Sequence, residues 1–168
     1  MLRGSQEPSF IHAPQGDTAD AEDAVEIAAA YGLVADAWQE EVLRAWLRRD
    51  SSGRWAAGRW GVAVPRQNGK NAVVEILELY VLTILGLRVL HTAHEVKTAR
   101  KAFLRLASFF ENEREFPDLY GMAKSIRKAN GQEAIFLHSP DCPVQTSLGC
   151  QTNADWGRSV GCSLRSDA

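Results

Sequence analysis

A chain of 168 residues, 45% apolar and 24% charged, has the size of about one ordinary domain and enough apolar content for a globular core. Its formal net charge of −2 demands neither a nucleic-acid nor a membrane partner and leaves room for a local basic patch. Cys142, Cys150 and Cys162 fit no CxxC metal spacing, and an odd count argues against a disulfide framework, so they read as free thiols.

The N-terminus MLRGSQEPSF has no apolar h-region, which argues against a secretory signal. Residues 1–18 are mostly polar, with Pro8, Pro14 and Gly16, and are expected to form a loose arm. Ala19 to Ala30 is alanine-rich and acidic near its start, which suits a helix whose positive end meets carboxylates. Ala37 to Arg49 places Trp38, Val42, Leu43, Trp46 and Leu47 at helical spacing, and Asp50 to Gly53 breaks the chain. Arg54 to Val64 reads as extended structure, either one strand with a glycine irregularity or two short ones.

Lys70 to Leu85 predicts a long buried helix stopped by Gly86. Its apolar part, Ala72 to Leu85, carries Glu75 and Glu78 and is too short to span a bilayer, so a cytosolic protein is expected. Leu87 to Ala93 resembles an internal parallel strand. Glu95 to Glu113 is amphipathic, with Val96, Ala99, Phe103, Leu106, Phe109 and Phe110 on one face. EFPDLYG reads as a turn, and KSIRKANGQEAIFLH as a β-hairpin turning at Asn130-Gly131. The central strand–helix–strand–helix order predicts a three-layer α/β fold with a parallel sheet and right-handed crossovers.

The stretch VAVPRQNGKN, Val62 to Asn71, carries the chemistry. A phosphate loop needs inward N–H groups, a helix N-terminus behind them and a lysine that reaches the phosphates. Gly61 to Val64 would end a strand, Pro65 would stiffen its exit, Gly69 would permit close backbone approach, and Lys70 would open the helix. The usual G-x-x-x-x-G-K-[ST] pattern fails at two places: Val64 stands at its first glycine and Asn71 at its hydroxyl. The Asn71 amide oxygen is a hard-oxygen substitute for a hydroxyl beside Mg²⁺. The competing interpretation is an ordinary surface turn.

VPRQNGKN, with WQ upstream and LHTAHEVKTARKAF downstream, resembles the ATPase domain of phage terminase large subunits, over about residues 33–137. These motors package viral double-stranded DNA into capsids, and their deviant Walker A loop has the form x-x-R-Q-x-G-K-[STN]. The resemblance implies an incomplete P-loop NTPase domain of RecA/ASCE type over 19–140, with ATP and Mg²⁺ as cofactors. It also implies DNA, a portal and a small terminase subunit as partners in a bacterial host's cytoplasm.

Carried over residue by residue, Lys70 is the phosphate lysine, with Pro65, Gln67, Asn68 and Gly69 in the loop and Asn71 on the Mg²⁺ side. Arg66 matches the arginine proposed as a cis-acting finger toward the γ-phosphate, where its charge would stabilise the transferring phosphoryl group. Gln39, after Trp38, resembles the adenine-reading glutamine, since a primary amide both donates and accepts. Each has a plainer role available: core packing for Trp38, solvation for Gln39, a carboxylate partner for Arg66. His91 and His94 in HTAH lack further ligands at metal spacing, and the resemblance makes TAH a helicase-type motif behind the nucleotide, not a zinc site.

Hydrolysis also needs an acidic pair after an apolar strand. Past Gly131, Asp141, Asp155 and Asp167 follow no apolar run and precede no glutamate, so no Walker B is present, nor any nuclease carboxylate cluster. The stretch 141–168, which changes composition after AIFLH, is expected to form no strand aimed at the pocket. It suggests a frameshifted or truncated gene, as in a decaying prophage; coding DNA with no hhhhDE in a downstream or alternate frame would sink the frameshift. Two other functions stay open: another P-loop ATPase or helicase-like module completed by a partner, and a small α/β domain without nucleotide function.

Overall fold

The computed structural model describes residues 6–65, 67–129 and 131–138, and the backbone of 147–152 and 161–165. The chain is mixed α/β. It forms two compact units, Met1–Leu77 and Glu78–Ala168, divided within one helix. Among the described residues no helix is long and apolar enough to cross a membrane.

The first unit contains α1 (Ala19–Ala30), α2 (Ala37–Trp46) and the start of α3 (Lys70–Thr83). In α1, Ala21, Ala24 and Ala28 form a fully buried stripe of small side chains, and α1 packs on α2. Its end is a Schellman motif. Gly32 takes φ +81, its N–H donates to Ala29 O at 3.0 Å, and the Leu33 N–H donates to Ala28 O at 2.8 Å. Leu43 and Leu47 carry the buried face of the α2 segment.

Pro14 to Asp17, within the segment expected to be a loose arm, is anchored. Asp17 and Arg49 exchange backbone hydrogen bonds of 2.9 and 3.0 Å, and the Arg48 guanidinium donates to Pro14 O at 2.7 Å. A Cβ on Gly16 would lie 2.5 Å from Arg49 O, so glycine fits where a side chain would not. The Arg49 guanidinium lies 3.7 Å from the Trp55 ring centroid and pairs with Asp20 at 2.7 Å. The break at Asp50 is an Asx-type turn: its carboxylate accepts from Ser52 N at 2.8 Å and Arg54 N at 3.0 Å.

The extended structure expected over Arg54–Val64 does not form a strand. Its one backbone bridge joins Trp55 to Arg49. Gly58 and Gly61 weaken the stretch as a strand, and among the described residues no strand lies beside it to complete a ladder.

Helix α3 is buried at every position from Glu75 to Leu82, as its nearly continuous apolar sequence requires. It ends before Gly86, whose φ of +62 lies in the left-handed region that favours glycine.

The second unit continues with β1 (Arg88–Ala93), α4 (Val96–Glu111), α5 (Pro117–Met122), β2 (Ala123–Arg127), β3 (Ala134–Leu137), β4 (Ser147–Thr152) and β5 (Gly161–Arg165). Strand order is β2-β3-β4-β1-β5. β1 pairs parallel to β4, with Val89 opposite Leu148, while the other three pairings are antiparallel. The sequence reading expects a parallel sheet; the sheet is mixed. β1 is internal as expected, yet its burial alternates, with Val89, His91 and Ala93 covered and Arg88 and Leu90 exposed.

Helix α4 packs along β1 and β4 through a face that includes Ala99, Phe103, Leu106 and Phe110. Val96, expected on that face, is exposed in the helix's first turn. The expected turn at EFPDLYG is the short helix α5. Pro117 suits a first helical position because its missing N–H would have had no helical partner. The β2–β3 hairpin forms as read. Past β2 the Gln132 N–H donates to Ala129 O at 3.0 Å and Gly131 takes φ +77, while Asn130, the other residue of the expected turn, lies outside the described residues.

The C-terminal stretch, whose polar sequence is expected to form no strand aimed at the pocket, contributes β4 and β5 to the sheet. Backbone N–H and C=O groups pair whatever the side-chain composition, and β1 offers two edges. Asp141, Asp155, Asp167 and Cys142 lie outside the described residues.

Candidate functional site

The candidate site lies in the first unit, where the chain enters α3. Gln67 and Gly69 both adopt left-handed backbone, with φ +63 and +74. A non-glycine residue in this region is uncommon and marks a constrained turn. Lys70 is the first residue of α3, and the Ala72 N–H donates to Gly69 O at 2.9 Å. The first helical N–H groups lack carbonyl partners one turn back, and the peptide dipoles place partial positive charge there. The first turn holds no acidic residue, and Gln67, Asn68, Gly69, Lys70 and Asn71 are all exposed. Pro65 is exposed before them, and Arg66 lies outside the described residues. The arrangement can present donors and an ammonium group to an anion.

Gln39 reaches this loop from α2. It is 4% exposed, and both ends of its amide are used. Oε1 accepts from the Asp36 N–H at 2.7 Å, and Nε2 donates to Gly69 O at 3.0 Å. The first bond is the N3 arm of a capping box at the start of α2, the spacing D-x-x-Q in the sequence. The second joins the two stretches singled out in the sequence, WQ and the glycine–lysine loop. A Cβ on Gly69 would lie 2.9 Å from Gln39 Nε2 and would push that amide aside, and the φ favours glycine. Trp38, its neighbour, is half-buried.

Both acidic residues of α3, Glu75 and Glu78, are buried. Glu78 lies eight residues past Lys70, about 12 Å along a helix. It is 3% exposed, and its Oε1 is 2.6 Å from His91 Nδ1 on β1, both within the second unit. Burial pushes His91 down, but the hydrogen bond and charge of Glu78 outweigh it and leave His91 above its ordinary value. His94 is exposed, 3.8 Å from Glu95. Among the described residues no group of three or more His, Cys, Asp or Glu could hold a metal.

The sequence analysis missed both polar contacts. D-x-x-Q spacing could have assigned Gln39 a capping role. Nothing local could have paired Glu78 with His91, although a carboxylate inside an apolar helix signals a buried partner. Comparison with protein-family models, with curated proteins and with solved structures found no match.

Proposed function

We propose that the loop at Pro65–Asn71 binds the phosphates of a nucleoside triphosphate, with Lys70 as its cation. The observation that carries this is the left-handed turn at Gln67 and Gly69, set directly before the N-terminus of α3 and tied to Gln39. The terminase resemblance supplies the rest of the proposal: ATP as the nucleotide, and the chain as the ATP-binding part of a DNA-packaging motor. Double-stranded DNA, a portal and a small terminase subunit would then be its partners.

In this proposal Lys70 and the loop N–H groups hold and orient the phosphates. Arg66 would act on developing negative charge, so its loss should affect hydrolysis more than ground-state binding. Mg²⁺ would supply charge neutralisation on the phosphates, and the chain's own contribution to it is the Asn71 amide oxygen. Glu78, engaged by His91, does not serve as the acid that activates water. The chain therefore binds nucleotide and turns it over poorly. For the fold, an incomplete three-layer P-loop domain of RecA/ASCE type draws its support from the parallel β1–β4 pair.

A second reading, an α/β domain without nucleotide function, is favoured by one specific observation. Gly61–Val64 takes no strand, and a strand before the loop is what usually aims it. Equilibrium titrations with ATP, ADP and adenosine separate the two. Phosphate-dependent binding, with adenosine inert, supports the proposal; absent binding of all three supports the second reading, and equal binding of all three would overturn a phosphate-directed site.

A further inference from the structure

We propose that Gln39 is a positioning residue for the phosphate loop, and that it does not read the nucleotide base; the ligand part of this inference rests on the phosphate-site proposal above. The amide orientation follows from its partners. Asp36 N–H can only donate and Gly69 O can only accept, so Oε1 must face the first and Nε2 the second. A base-reading amide needs a donor and an acceptor directed outward at the base edge. Here one of each is spent inside the protein, and at 4% exposure the side chain offers little surface to a ligand.

The Gly69 carbonyl accepts from two sides, from Gln39 Nε2 and from the Ala72 N–H of the first turn of α3. Fixing that carbonyl fixes the peptide plane between Gly69 and Lys70, and so the direction of the Lys70 N–H. Gln39 thereby sets the donor geometry offered to phosphate. Substrate class follows: discrimination lies in the phosphate chain, and Gln39 confers no preference for adenine over guanine.

Gln39→Glu separates the two arms. It keeps an acceptor for Asp36 N–H and the start of α2, and it replaces the donor to Gly69 O with a repelling carboxylate oxygen. The full-length chain and this variant are titrated with ATP, GTP and inorganic tripolyphosphate, and the ligand-free amide resonances of Gly69, Lys70 and Ala72 are recorded. Gln39→Met, which removes both arms, controls for capping. The expected result is an equal loss of affinity for all three ligands, about threefold to tenfold on the scale of one hydrogen bond. The three amide resonances should shift in Gln39→Glu while far-UV circular dichroism holds. A loss confined to ATP would make Gln39 a base reader and overturn the proposal, as would unmoved amides. If the unsubstituted chain bound none of the ligands, the phosphate-site reading would fall; shifted amides would still uphold Gln39 as the loop's positioning residue, and unmoved ones would remove that too.

Discussion

Replacing His91 with phenylalanine should cost the second unit more stability than any conservative change at its partner. Phenylalanine fills the ring volume but removes Nδ1, which lies 2.6 Å from Glu78 Oε1. Glu78 is 3% exposed, so its carboxylate would be left buried without that partner. Removing one member of a buried pair costs about 3–5 kcal/mol, because the remaining charge has lost both water and its counterion. Glu78→Gln is gentler. It keeps a hydrogen-bonding group beside the imidazole and removes the charge, a change of about 0.5–1.5 kcal/mol. The double variant His91→Phe with Glu78→Leu should recover most of the loss, since an apolar pair in place of a buried ionic one is often close to neutral. Urea unfolding followed by circular dichroism below pH 6.5, where the His91 contribution is complete, measures all four proteins, with m-values checking that the unfolding reaction is unchanged. If His91→Phe cost no more than Glu78→Gln, the pair would not be the buried interaction described here.

The same pair sets a pH dependence. His91 is raised above 6.5 in the folded chain, so its contribution is complete below 6.5 and is lost as pH rises through the folded value. The urea midpoint of the unsubstituted chain should fall across that window, and the midpoint of His91→Phe should not follow it; parallel curves would contradict the assignment. Gly69→Ala should destabilise by about 1–2 kcal/mol from left-handed backbone alone, with further cost because its Cβ would meet Gln39 Nε2 at 2.9 Å. Urea unfolding and ATP titration of that variant should both register the change, and an unaltered midpoint would refute the strained turn. Phosphate release from Mg²⁺-ATP, with and without DNA, should stay near background. Robust turnover abolished by Lys70→Ala would show that the chain is not catalytically incomplete.

Much of the helical structure was legible in the sequence. Ala19–Ala30 matches α1 residue for residue because its alanine content, acidic first turn and Tyr-Gly-Leu ending all agree. The hairpin was legible from the Asn-Gly pair between its arms, although β2 ends at Arg127, β3 starts at Ala134 and Asn130 itself lies outside the described residues. The strand expected at Gly61–Val64 was not realised, because apolar composition does not supply the neighbouring backbone that a strand needs. For the same reason β4 and β5 were not foreseen in a polar stretch: both pair with β1, more than fifty residues earlier, and β4 also with β3. At the site, Gly69 and Lys70 stand out as a pair in the sequence. The tie from Gln39 spans thirty residues and becomes visible only when α2 and the loop are placed together.

The most direct measurement is the ATP affinity of the unsubstituted chain against that of Lys70→Ala, by equilibrium titration with Mg²⁺. Lys70 is exposed at the first position of α3, so its removal should leave the unfolding midpoint nearly unchanged. It would take away a charge-assisted phosphate contact of about 1.5–3 kcal/mol, a loss of roughly ten- to hundredfold in affinity. A loss of that size at constant stability is the predicted result. Equal affinity in the two proteins, or no binding by either, would contradict a phosphate site at this loop.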